Sequence, residues 1–109
     1  MSYKVNWTHH AEADVERIIR YIANHLANSA AARRFSSRLE ATIRLLTDNP
    51  LINGIGKTPS LAKRKLRTCF VQNYVLVYRV DEDEVVIYRV FHMRQNYARL
   101  LDADRTESA

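Results

Sequence analysis

Three residue types that serve phosphate chemistry stand within six residues near the end of the chain: His92, Arg94 and Tyr97. Histidine acts as acid or base near neutral pH, and arginine stabilises a negatively charged phosphorus centre. Tyrosine stacks on a base or transfers a proton. The alternative is structural: His92 could cap the last helix, Arg94 could pair with Asp102 or Asp104, and Tyr97 could belong to the core.

A run of cations precedes this segment. Within seventeen residues that contain no acid, the chain carries Lys63, Arg64, Lys65, Arg67 and Arg79, and Arg89 follows. Cations on adjacent strands repel one another unless an anion lies between them or they spread into solvent. The run therefore predicts a surface for an anion. For phosphodiester cleavage, the catalytic candidates are Arg67, Arg79, His92 and Arg94. The candidates for target or RNA binding are Lys63, Arg64, Lys65, Arg89 and Tyr97.

The turn Asp81–Glu84 decides which of these side chains share a face of the sheet. A connection of two or four residues places Arg79 on one face with Val86, Tyr88, Val90 and His92. It places Arg89 on the other face with Tyr74, Tyr78 and Phe91. An odd loop would exchange the partners, so the grouping of Arg79 with His92 is a hypothesis about this turn.

Hydrophobic periodicity predicts the elements that position these residues. We expect a strand at 3–7, helices at 9–26 and 29–47, strands at Lys63–Phe70, Tyr74–Val80 and Val85–Phe91, and a short helix at Arg94–Leu101. Thr8 and Asn28 or Ser29 stand where N-caps belong. Both glycines and both prolines fall between Pro50 and Pro59, which marks a loop. The order predicts an α+β domain over residues 1–101, with a helical hairpin on one face of an antiparallel meander, and a loose polar tail at 102–109.

Composition narrows the class of protein. The 109 residues carry a net charge of +5, and arginine predominates among the cations. A small basic domain suggests nucleic acid or an acidic protein as partner. Because the sequence shows neither a long apolar run nor an apolar leader, we expect no membrane span and no signal peptide. One cysteine, Cys69, fits a packing residue in a reducing cytoplasm.

Two further groups of residues are interpreted as structural. His9 and His10 point in different directions on a helix and lack a third ligand at a convincing spacing, so we expect neither a metal nor another cofactor. The arginines that lie off the apolar stripe of the second predicted helix are interpreted as a solvated face: Arg33, Arg34, Arg38 and Arg44.

The combined pattern resembles the RelE/ParE superfamily of bacterial type II toxins. The residues that carry the resemblance are Tyr3-Lys4-Val5, Ala11–Ile22, Asp48-Asn49-Pro50, Lys65-Leu66-Arg67 and the run from Asn73 to His92, NYVLVYRVDEDEVVIYRVFH. The resemblance implies a plasmid-stabilisation toxin that a co-encoded antitoxin neutralises by laying an extended or helical segment over it.

The resemblance implies two alternative targets. RelE-like members cleave mRNA on the ribosome, whereas ParE-like members poison DNA gyrase and are not nucleases. By position, Arg67 and Arg94 look like the basic residues of the RelE-type site, but Leu100 stands where its C-terminal tyrosine would be, and Tyr97 lies nearby. The long helices and the ending Arg89–His92 look more ParE-like. We therefore expect a gyrase poison, with an mRNA interferase as the alternative and an inactive interaction module as the third.

Overall fold

The computed structural model describes the backbone of residues 3–107 and the side chains of residues 3–102. In chain order the elements are β1 (Lys4–Trp7), α1 (His9–Arg20), a π-helical turn (Tyr21–His25), α2 (Ser29–Asp48), α3 (Pro59–Ala62), β2 (Arg67–Val71), β3 (Tyr74–Asp81), β4 (Glu84–His92) and α4 (Tyr97–Glu107). Within the described residues, four strands form one sheet in the order β1-β4-β3-β2. β1 runs parallel to β4, and the other pairs are antiparallel. The predicted α+β class and the meander are confirmed.

The two long helices cover one face of the sheet, here called the helix-covered face. Their starts are fixed by side-chain caps, because Thr8 Oγ1 accepts from Ala11 N at 3.0 Å and Asn28 Oδ1 accepts from Ala31 N at 2.9 Å. Each cap satisfies a backbone donor that the first helical turn leaves unpaired. The apolar stripes then bury a common core with the sheet: Ala11, Ile22, Phe35, Leu39, Leu46, Leu76, Tyr78, Val85, Ile87 and Val90.

The opposite face, here called the second face, is covered only in part. α3 and α4 pack there around a smaller core: Leu61, Leu66, Val75, Val77, Phe91 and Leu101. Ser60 Oγ donates to the Asp102 carboxylate at 2.9 Å and ties the two short helices together. The part of this face nearest the β3–β4 turn carries polar contacts instead, including Asn6 Nδ2 to Glu84 Oε2 at 3.1 Å.

A β-bulge in β4 changes the alternation of its side chains. Tyr78 pairs with Ile87 and Val77 pairs with Arg89, so Tyr88 has no partner on β3. An extra residue in one strand keeps the two neighbouring side chains on the same side and shifts every later residue to the other face. Tyr88 and Arg89 therefore both belong to the second face, and Val90 returns to the helix-covered face.

Asp14 of α1 binds β4 beyond the end of β1, where β4 would otherwise be a free edge. Its carboxylate accepts from Val90 N at 2.9 Å and from Arg89 Nε and Nη2 at 2.7 and 3.0 Å. Thr8 Oγ1 donates to Tyr88 O at 2.7 Å, so one helix start satisfies the bulge as well. Asp14 is only 1% exposed and Arg89 only 13%, which makes this a buried ion pair with complete hydrogen bonding.

Several predicted boundaries differ from the structure. β2 begins at Arg67 rather than Lys63, because Lys63–Lys65 form the turn after α3, with Lys65 at φ 55°. The predicted loop holds α3, with Pro59 at its start. The first helix changes from α to π geometry at Tyr21. No described helix is both long enough and apolar enough to cross a membrane.

The C-terminal helix also departs from its prediction. It was expected over Arg94–Leu101, but α4 begins at Tyr97 and continues to Glu107. The segment expected to be a loose tail is therefore helical as far as the backbone is described. The last two residues of that tail, 108 and 109, lie outside the described residues.

Replacing Asp14 by asparagine is expected to lower the free energy of unfolding by about 3–5 kcal/mol, because it leaves the nearly buried Arg89 guanidinium without its counter-charge. Urea denaturation measures this. The control is Asp81→Asn, which breaks the Arg79–Asp81 pair whose side chains are 38% and 45% exposed. That change should cost less than about 1 kcal/mol. Equal losses in the two variants would contradict the assigned role of Asp14.

The Cys69 thiol is expected to react slowly with iodoacetamide in the folded protein. It is half-buried against the helix-covered core, and burial raises its pKa to about 11. At pH 8 the reactive thiolate should be about a hundredfold scarcer than for an ordinary cysteine, and the rate should rise about tenfold per pH unit below pH 10. Mass spectrometry of native and urea-unfolded samples gives both rates. Equal rates would contradict the packing role.

Candidate functional site

The four catalytic candidates do not converge. Arg67 lies on the helix-covered face opposite Tyr78, and its guanidinium donates to Asn53 O in the loop after α2. Arg79 lies on the second face and pairs with Asp81 at 2.9 Å. His92 pairs in register with Tyr74, five residues along β3 from Arg79, which is about 17 Å.

The grouping of Arg79 with His92 was therefore wrong. The connection has the expected two-residue length, since Asp81 pairs with Glu84, and Arg79 does share a face with Val86. The bulge at Tyr88 then moves Val90 and His92 to the helix-covered face. For the same reason Arg89 shares a face with Phe91 but not with Tyr74 or Tyr78.

Two of the predicted binding cations hold the fold together. Arg89 binds Asp14, and its guanidinium carbon lies 4.6 Å from the centre of the Phe91 ring. Arg64 donates to Tyr88 Oη at 3.1 Å and to Leu101 O at 3.0 Å, and stacks over the Tyr88 ring at 5.7 Å. Arg64 thereby links the turn before β2 to α4 across the second face. The cations are tolerated on a small sheet because internal acceptors satisfy them.

The remaining candidates lie on the surface or in the smaller core. Lys63 and Lys65 are exposed in the turn after α3, and Arg94 is exposed in the turn after β4. Tyr97 is half-buried and stacks on Phe91 with ring centres 6.2 Å apart. Phe91 faces the smaller core and His92 the helix-covered face, so the sequence cluster His92, Arg94 and Tyr97 is divided between the two faces.

The three aromatic residues that were predicted to share a face with Arg89 do not form one surface. Tyr78 is fully buried on the helix-covered face, whereas Phe91 is 2% exposed on the second face. The Tyr78 hydroxyl donates to Pro50 O at 2.9 Å and accepts from Asn53 Nδ2 at 3.2 Å. Burial raises the pKa of Tyr78, so this tyrosine anchors the loop as a neutral phenol.

A different groove, here called the end groove, opens where the π-helical turn meets the ends of β3 and β4. Its volume is about 500 Å³, and the lining residues are Arg17, Ile18, Tyr21, Leu26, Asn73, Tyr74, Val90, His92 and Gln95. Tyr21 is 49% exposed and Leu26 is 56% exposed. This groove contains one predicted catalytic residue, His92, together with aromatic, apolar and cationic neighbours.

Two hydrogen bonds hold His92 in the wall of the end groove. His92 Nδ1 accepts from Arg94 N at 3.1 Å, and His92 N donates to Gln95 Oε1 at 2.8 Å. This bond assigns the proton of the neutral ring to Nε2. Tyr74 packs edge-on against the His92 ring at 5.3 Å, and burial and the neighbouring Tyr21 raise the pKa of Tyr74. The groove thus presents an imidazole and a phenol together with the Arg17 guanidinium, which pairs with the Asp14 carboxylate at 3.2 Å.

Sequence reasoning missed Arg17, Tyr21 and Leu26. Leu26 was predicted as the last residue of the first helix, but the π-helical turn adds a residue to the ring of its backbone bond and rotates the chain, so Leu26 N bonds to Tyr21 O. The available sequence signal was the pair of aromatic rings at i and i+4, Tyr21 and His25. In the structure these rings stack with their centres 5.2 Å apart.

No three histidine, cysteine, aspartate or glutamate side chains within the described residues are grouped so that they could hold a metal ion.

Comparisons with known proteins agree with this architecture. The family model described as the ParE toxin of the type II toxin-antitoxin system, parDE, matches residues 5–97. A chain from the chromosomal ParDE system of P. aeruginosa superposes with a TM-score of 0.66 at 19% identity, covering 84% of this chain and 96% of that one. A chain of the RelBE2 toxin-antitoxin complex from Mycobacterium tuberculosis superposes with a TM-score of 0.55 at 26% identity, covering 84% and 99%.

A search of curated protein sequences finds no match. The family model nevertheless spans β1 to the first residue of α4, and the structural likeness extends over the same fold. The chain therefore belongs to the ParE toxin family of type II toxin-antitoxin systems, within the RelE/ParE superfamily.

Proposed function

We propose that this toxin arrests growth by poisoning DNA gyrase through protein–protein contact and that a cognate antitoxin neutralises it. The observation that carries the proposal is the dispersal of three of the four catalytic candidates, Arg67, Arg79 and His92. General acid–base and electrostatic catalysis require the participating groups within hydrogen-bond reach of one reacting phosphate. Arg67 and His92 lie at separate positions on one face, and Arg79 lies on the other.

The internal partners of these residues support the same conclusion. Arg67 binds a loop carbonyl and Arg79 binds Asp81. To serve a phosphate, each guanidinium would have to leave its partner. A toxin that acts by occupying a protein surface needs no assembled reaction centre, only a surface of suitable shape and chemistry.

The end groove is the surface that we assign to the target. Tyrosine and arginine are among the residue types that carry most of the binding energy at protein interfaces, and methionine is enriched there, while an exposed leucine adds apolar contact area. Tyr21, Leu26 and Arg17 line this groove, and Met93, 49% exposed, follows His92 directly. Their backbone positions are fixed by the Asp14–Val90 bond and the capped α1, so a partner would meet a preorganised surface.

An antitoxin partner is supported by the relatives. The similar chain from P. aeruginosa comes from a ParDE toxin-antitoxin system, and that from M. tuberculosis from a toxin-antitoxin complex. With a net charge of +5, this chain suits an acidic partner segment. Such segments commonly fold as they bind.

A ribosome-dependent mRNA endonuclease is the second candidate, and one observation favours it. His92, Tyr74 and Arg17 line the same groove, so one histidine lies beside a phenol and a cation. In that case His92 would transfer the proton from the Nε2 side that the Arg94 bond leaves available.

Replacing His92 by glutamine separates the two candidates, since glutamine keeps a polar side chain but cannot transfer a proton at neutral pH. For a gyrase poison, we expect less than a tenfold loss of plasmid linearisation by purified gyrase. For a nuclease, mRNA cleavage in a reconstituted translation reaction should fall by about 10²–10⁴. Arg44→Gln is the control, because it removes an exposed polar side chain that does not line the groove. Wild-type mRNA cleavage that His92→Gln abolishes would contradict the proposal.

Truncating the exposed apolar residues of the end groove should weaken the toxin. The double variant Tyr21→Ala, Leu26→Ala is expected to need at least about tenfold more protein for half-maximal plasmid linearisation, because both side chains lie in the proposed contact surface. The matched control is Leu45→Ala, Leu51→Ala, whose side chains are 68% and 57% exposed elsewhere. Thermal melting verifies that both variants fold. Equal weakening by the control would place the contact outside the end groove.

A further inference from the structure

Three arginines of α2 line a second groove, together with Gln72 of the turn between β2 and β3. The groove has a volume of about 710 Å³, and its lining residues are Ala30, Arg33, Arg34, Ser37, Arg38 and Gln72. All are exposed. The α2 residues recur at spacings of three and four, so they form one face of the helix, here called the arginine face.

The arginine face differs from the arginines of the sheet and of the turn before β2. Arg64, Arg67, Arg79 and Arg89 each bind an internal acceptor. Within the described residues, none of the three arginines of this face has a salt bridge or a side-chain hydrogen bond. Like charges at i, i+4 on a helix, such as Arg34 and Arg38, repel one another and destabilise the helix. An external anion would remove that repulsion.

The composition of the groove indicates which anion it suits. Ala30 is the one apolar residue among those that line it, so it lacks the large apolar anchors with which a peptide helix docks. It also lacks an aromatic side chain on which the bases of a single strand could stack. Arginine is the residue that matches phosphate oxygens in a bidentate manner, and Ser37 and Gln72 add neutral donors for the same oxygens.

We propose that the arginine face binds the phosphate backbone of duplex DNA without reading its sequence. The choice of DNA over duplex RNA rests on the proposed function, which brings the toxin to an enzyme that holds DNA. The two grooves then have separate tasks. The end groove contacts protein, and the arginine face contacts the DNA beside it.

The test measures binding of the purified full-length chain to a fluorescein-labelled 20-base-pair DNA duplex of arbitrary sequence, by fluorescence anisotropy. The variant is the triple Arg33→Gln, Arg34→Gln, Arg38→Gln. The control is the triple Arg44→Gln, Lys57→Gln, Arg99→Gln, which removes the same charge from exposed residues outside the groove. Salt titration is performed on all three proteins.

We expect the arginine-face variant to bind at least tenfold more weakly near 0.1 M salt, and its slope of log K against log salt to shrink by about 2.7, for three lost phosphate contacts. The control should change both quantities far less. Equal loss in the two triples would mean that net charge alone is responsible and would overturn the assignment. The assignment would also be overturned if the wild-type chain bound a polyglutamate peptide, a single-stranded RNA or an RNA duplex more tightly than the DNA duplex, and if the arginine-face variant lost that binding.

The outcome is independent of the gyrase assay. If the chain binds DNA through this face but does not linearise plasmid with gyrase, the proposed function fails and the DNA site stands. If it poisons gyrase but the arginine-face variant binds DNA as tightly as the wild type, the DNA site fails and the proposed function stands.

Discussion

The contact between Asp14 and the edge of β4 is the interaction on which the rest of the structure depends. β1 ends at Trp7, and without a replacement the following part of β4 would present free backbone donors at an edge. The Asp14 carboxylate accepts hydrogen bonds from Val90 N and from the Arg89 guanidinium, while the Thr8 hydroxyl donates to the carbonyl oxygen of the bulged Tyr88. One helix start thus satisfies the bulge, neutralises a nearly buried arginine and fixes α1 against the sheet. The end groove lies directly beyond this contact.

The predictable part of the fold follows from periodicity. The apolar stripes of α1 and α2, the caps at Thr8 and Asn28, and the alternation of β3 are all local signals, and the structure agrees with them. The candidate site was less predictable because a single unpaired residue, Tyr88, reverses the faces of Val90 and His92. No local pattern marks that residue, since the bulge depends on contacts with Thr8 and Asp14, which lie more than seventy positions earlier. The π-helical turn that exposes Leu26 was not predicted either, because a search for 3.6-residue periodicity does not detect a single turn of different geometry.

The cations carry the same lesson for function. Their density after residue 62 indicated an anion site, on the argument that unneutralised charges repel across strands. These arginines do have partners, but the partners belong to the chain itself: Asp14 for Arg89, Asp81 for Arg79, and carbonyl groups for Arg64 and Arg67. Among the described residues, three arginines without such partners, Arg33, Arg34 and Arg38, lie together on α2, where a solvated face was expected. A basic sequence therefore divides into arginines that build the fold and arginines that remain available to a partner.

We propose, above all, that this ParE-family chain acts by protein–protein contact with its target rather than by catalysis. The most direct measurement is controlled expression without antitoxin, with DNA ends and mRNA 5′ ends mapped in the same culture. We predict growth arrest with DNA breaks at gyrase sites and no new cuts in translated codons. New cuts in translated codons without DNA breaks would contradict the account, and would mean that dispersed residues assemble into a reaction centre only on the ribosome.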